Sequence, residues 1–167
     1  MAHPSLGLPP HDTTAGMPEA AAKLRANRTH LARTALAATV AKMPDFQSRY
    51  DDAALRHFLR DYDRHIEQLA RALETGEDVY VTNYGEWLMP LYRRRHVPVT
   101  DLMALLAGLQ QAAAGVLAPA ENDAADEMFK RWAARLREHG RLPGDHKGNS
   151  VLRFFWKAAG VGDDKWV

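Results

Sequence analysis

The sequence predicts an all-α protein, an antiparallel bundle of four to five helices with a short C-terminal helix and tail, and three observations carry that prediction. Between Leu55 and Leu73 the apolar residues Leu55, Phe58, Leu59, Tyr62, Ile66, Leu69 and Leu73 follow three-and-four spacing, which draws one stripe along a helix. A second stripe, Leu102, Leu105, Leu106, Leu109, Ala113 and Val116, repeats the pattern in a stretch poor in charge and is expected to be deeply buried. No segment alternates apolar and polar residues over the length a sheet needs. At 167 residues the chain is long enough to bury a core, and its lack of cysteine agrees with a core that needs no disulfide or structural metal.

The elements follow in chain order. Residues 1–16 are rich in Pro, Gly, His and Thr and have no periodicity, so they read as a disordered arm. Pro18 suits the first position of a helix whose thin, alanine-rich stripe of Leu24, Leu31, Ala35, Ala38 and Val40 runs up to Met43 and Pro44. Phe46 and Tyr50 are placed to pack where the chain enters the strong second helix, which Asp51 or Asp52 caps and Gly76 ends. A third helix is expected from Thr82 or Asn83, with Tyr84, Trp87, Leu88, Leu91 and Tyr92 on one side. Pro90 lies inside it, and the missing donor predicts a kink or a break there.

Residues 93–98 read as a turn, and the fourth helix starts at Thr100 and ends before Pro119. The fifth presents Ala125, Met128, Phe129, Trp132 and Leu136, begins acidic, ends basic in accord with the helix dipole, and stops at Gly140. The bundle thus spans residues 17–140. Residues 141–167 form a glycine- and proline-containing linker, a docking helix over Val151 to Ala159, and a tail.

Composition narrows the function. Twenty-two Lys and Arg against 21 Asp and Glu leave the net charge near zero, so bulk electrostatics recruits neither nucleic acid nor a membrane surface. Without cysteine there is no thiolate zinc site, iron–sulfur cluster, thiol nucleophile or thioether-linked cofactor. No apolar run approaches the roughly 20 residues that cross a bilayer. The first residues lack the basic-then-apolar pattern of a secretory signal, so the expected location is cytoplasmic. The three serines, Ser5, Ser48 and Ser150, sit in no nucleophile-elbow or Ser-x-x-Lys context, and no glycine pattern precedes Lys-Ser or Lys-Thr. The expectation is a non-enzymatic protein without a cofactor.

Four clusters are candidates for contact with another molecule. His57, Asp61 and His65 stand at i, i+4 and i+8, a spacing that suits metal ligands. At about 100° per residue, however, His57 falls opposite the apolar stripe, with Asp61 and His65 moving only to its flank, so the trio is expected on a solvated face with no metal bound. Arg93, Arg94, Arg95 and His96 gather four cationic groups beside Tyr92, suited to an oxyanion or an acidic partner loop. Tyr84, Trp87 and Tyr92 would wall a pocket for an apolar or tetrapyrrole ligand if helix three opens at Pro90. In the tail, Phe154, Phe155, Trp156 and Trp166 are large apolar groups that need cover, on this chain, on a second copy in a homodimer, or on a partner protein.

The run Tyr84-Gly85-Glu86-Trp87-Leu88, followed by Leu91-Tyr92-Arg93-Arg94-Arg95-His96-Val97-Pro98-Val99-Thr100-Asp101-Leu102-Met103-Ala104-Leu105-Leu106, resembles the centre of helical regulatory domains. Such domains stand at the N-termini of stressosome RsbR-type proteins and of some bacterial sensor and transcription regulators. The resemblance covers about residues 52–118. It implies a signal-input bundle, often dimeric, that acts on an output domain without catalysis. No output domain follows the bundle in this sequence, so action in trans through a surface or the tail is the expectation.

Overall fold

The computed structural model describes residues 16–140. Its elements are α1 (Pro18–Ala26), α2 (Arg28–Lys42), α3 (Phe46–Arg49), α4 (Asp52–Thr75), α5 (Val79–Arg94), α6 (Val99–Ala114) and α7 (Pro119–Gly140). The fold class is all-α, with no strand among the described residues. No helix among them is long and apolar enough to cross a membrane. The linker, docking helix and tail expected after Gly140, and the arm before Gly16, lie outside the described residues.

The single helix expected from Pro18 to Met43 is two helices. Asn27 sits at φ −101°, ψ 12°, and its side-chain amide donates to the Lys23 carbonyl at 2.9 Å. The Asn27 N–H donates to the same carbonyl at 3.1 Å and the Leu31 N–H to the Asn27 carbonyl at 2.8 Å, so the chain turns at Asn27 with those ladder bonds kept. Met43 leaves the helical region (φ −127°, ψ 82°) because the proline that follows excludes it. One turn, α3, then brings Phe46 into the core, with its ring 4.7 Å from Tyr50 and 5.6 Å from Phe58.

Both ends of α4 match the expectation. Asp51 accepts from the Ala54 N–H at 2.7 Å, and Gly76 takes the left-handed φ of 75° that closes a helix without a Cβ penalty. α5 starts three or four residues earlier than expected and continues past Pro90 to Arg94 rather than breaking there. Its end is a Schellman motif: the Val97 N–H donates to the Tyr92 carbonyl and the His96 N–H to the Arg93 carbonyl, both at 3.0 Å, with His96 at φ 58°. At the start of α7, Glu121 accepts from the Ala118 N–H at 2.7 Å and from Lys23 Nζ of α1 at 2.8 Å.

The apolar stripe of α4 is covered by α1, α2, α5 and α7, and α6 fills the space between α2 and α7. α4 and α5 run in opposite directions, Asp61 meeting Arg95 and His65 meeting Tyr84. α7 runs along α5 in the same direction, Arg131 meeting Asp78 and His139 meeting Glu86. α2 and α6 approach so closely that a Cβ on Gly108 would collide with Thr39 Oγ1 and the Ala35 carbonyl oxygen. Gly108→Ala is therefore expected to lower stability by about 1–2 kcal/mol, because overpacking outweighs alanine's better helix propensity. Urea denaturation measures this, and an unchanged or raised midpoint would mean that α2 and α6 part freely.

Candidate functional site

The flank of α4 that carries Asp61 and His65 is buried, which corrects the solvated-face expectation. His57 is exposed, its Nδ1 3.3 Å from Arg60 on the same helix, but Asp61 is 7% and His65 1% exposed. The buried face of α4 is wider than its apolar stripe and takes in Asp61 and His65. α5 folds back over this flank and α7 presses Trp132 onto it, so the second pair of helices buries a face that the stripe alone does not mark.

Across the α4–α5 seam these groups form one ordered chain of hydrogen bonds. Arg95 Nη1 donates to Asp61 Oδ2 at 2.5 Å, and the Tyr92 hydroxyl donates to the same oxygen at 3.1 Å. With its proton on Asp61, the Tyr92 oxygen accepts from His65 Nε2 at 3.3 Å. That assigns the imidazole proton to Nε2 and leaves Nδ1 to accept from the Tyr84 hydroxyl at 2.9 Å. Each member thus has a partner of the right polarity.

Burial dominates the ionisation of this chain. His65 is pushed down to about 3, first by desolvation and then by the positive charges of Arg95 and Arg64, so its ring is neutral. Tyr92 and Tyr84 are raised, again by burial first and then by the Asp61 charge. A neutral imidazole between two phenols, with His65 and Tyr92 each 1% exposed, offers no room for a substrate. It fixes how α4 and α5 meet. Among the described residues no three His, Asp or Glu side chains come together as a metal site.

A second polar knot was not anticipated from sequence. Asp101, 1% exposed in the first turn of α6, accepts from Arg49 Nη1 and Nη2 and, at 2.5 Å, from the Tyr50 hydroxyl. It ties the α3 corner to α6. The only sequence signal is an acid in a helix's first turn, which on its own reads as a dipole partner.

The outer face of the same seam differs in character. Trp87 is 49% exposed, stacks on Tyr84 with ring centroids 5.6 Å apart at 21°, and has the Arg64 guanidinium 5.9 Å from its ring. Beside it runs an open groove of about 410 Å³ lined by Gln68, Val79, Tyr80, Asn83 and Tyr84. Val79 is 41% exposed. Tyr92 lies beneath, hydrogen-bonded in the core, so Tyr84, Trp87 and Tyr92 do not wall one cavity for an apolar or tetrapyrrole ligand.

The basic turn is split in the same way. Arg93, Arg94, Arg95 and His96 are all exposed, and of these Arg95 turns its guanidinium onto Asp61 and over the Tyr92 ring at 5.8 Å. Phe154, Phe155, Trp156 and Trp166 lie outside the described residues. Compared with known proteins, the chain matches no family model and no curated protein.

Proposed function

We propose that this chain is a non-enzymatic, cytoplasmic regulatory or adaptor protein, an antiparallel-type helical bundle that works through protein–protein contacts, self-association included. The observation that carries the reading is Trp87, half exposed on the α4–α5 face, packed on Tyr84 and flanked by Arg64. Trp, Tyr and Arg are the residues that dominate binding energy when a partner covers them, and a rigid exposed indole is pre-organised for that role. Val79 and the groove beside Tyr84 extend the apolar centre, and Arg93, Arg94 and His96 supply a polar rim at the end of α5. The resemblance to signal-input bundles points the same way, as does the buried Tyr84–His65–Tyr92–Asp61 chain, which holds the face rigid from below.

Trp87→Ala tests this. Half of the indole is covered by Tyr84 and Arg64, which predicts a loss of folding stability of about 1–2 kcal/mol that leaves the chain folded, while affinity capture from the source cell should lose the partners that the unaltered chain retains. A variant that keeps every partner and the same sedimentation behaviour removes the α4–α5 face from the proposal.

A further inference from the structure

We propose that residues 151–167 of this same chain cover the Trp87 face, so that the surface offered to a partner is occupied in cis until the partner displaces its cover. The inference rests on the reading of that face as an interaction surface and names how it is regulated. Two observations choose the occupant.

The first is where the chain leaves the bundle. α7 runs along α5 in the same direction and brings Arg135 and His139 to Glu86, the residue next to Trp87. The chain therefore departs at Gly140 beside the middle of α5. Residues 141–150, fully extended, span at most about 35 Å, whereas a helix with its side chains is about 10–12 Å across. Residue 151 onward can thus pass around α5 to the α4–α5 seam.

The second is complementary chemistry. The face joins a groove whose lining mixes Val79, Tyr80 and Tyr84 with the amides of Gln68 and Asn83 to exposed arginines Arg60 and Arg64 on its α4 side. The segment carries matching parts in order: Leu152, Phe154, Phe155 and Trp156, then Asp163 and Asp164. Apolar side chains in the groove leave the two acids to meet the guanidinium groups. Attachment by a short tether holds the segment at an effective concentration near the millimolar range, so a cover of modest intrinsic affinity suffices and remains displaceable.

The chain contains no cysteine, which makes disulfide trapping a clean test. Asn83 is exposed at the groove and Gln111 is exposed on α6, away from it. In the full chain, Asn83→Cys with Lys157→Cys is expected to form an intramolecular disulfide about tenfold faster than Gln111→Cys with Lys157→Cys, since docking raises the local concentration above that of the tether alone. Equal rates, or a disulfide formed mainly between two molecules, overturn the cis cover. Loss of partners in Trp87→Ala without that rate advantage keeps the interaction reading and sinks this inference. A rate advantage with capture unaffected by Trp87→Ala does the reverse.

Discussion

Trp132→Ala is expected to lower stability by about 3–5 kcal/mol, the range for deleting a large aromatic from a core. Trp132 is fully buried and sits where α4, α5 and α7 meet, its ring edge-on to His65 at 5.7 Å, 5.7 Å from Tyr84 and stacked 6.3 Å from Phe129. Gly85 lets the indole lie against the α5 backbone, and even a Cβ there would approach the ring to 3.1 Å. No small shift of the helices refills such a space, so a cavity remains. Trp132→Phe separates shape from polarity. The indole N–H finds no protein acceptor, so phenylalanine keeps much of the volume and removes a buried donor that finds no protein partner, and its effect should fall well below that of alanine. Urea denaturation of the two variants checks both statements, and an alanine variant within 1 kcal/mol of the original chain would place Trp132 outside the core.

What the sequence made legible was whatever local chemistry decides. The α4 stripe, the Asp51 cap and the Gly76 terminus depend on neighbours within a few residues, and each stands where expected. The α1–α2 break is a change of backbone dihedrals at Asn27 inside an alanine-rich stretch that favours helix, and apolar periodicity does not mark it. The start of α5 was placed too late because Val79, Tyr80 and Val81 are poor intrinsic helix formers, and burial of Val81 in the core overrides propensity. The site followed the same division. Trp87 and Tyr84 were identified as neighbours on one helix face, but whether an aromatic faces core or solvent depends on which helix lies across from it. The exposed indole and the buried Tyr92, five residues on, were therefore indistinguishable beforehand. Arg95 looked like one cation of four, and its pairing with Asp61 crosses 34 residues of sequence.

Stability is expected to fall steeply as pH drops from about 6.5 to 4, with a part traceable to His65. In the unfolded chain an imidazole takes up a proton near 6.5, whereas folded His65 stays neutral until about 3. Between those values the unfolded state binds one more proton than the folded state, so acid favours unfolding. The contribution is complete above 6.5 and is lost progressively on the way down to about 3, on the order of 3 kcal/mol by pH 4. Neighbouring charges act in the same sense as burial: Arg95 and Arg64 oppose a second positive charge, and the Asp61 carboxylate that would favour it is already engaged by Arg95 and Tyr92. His65→Gln supplies a neutral side chain that can accept from Tyr84 and donate to Tyr92 at every pH. Other carboxylates and histidines titrate alike in both proteins, so the difference between their stability–pH profiles isolates His65. The glutamine variant should be the less stable protein near neutrality and lose less on acidification, the two curves converging toward pH 4. Parallel curves would mean that folded His65 takes up its proton as the unfolded chain does, and the bond between Nδ1 and Tyr84 would then run from the imidazolium to the phenol oxygen, those from Nε2 to Tyr92 and from Tyr92 to Asp61 keeping their direction.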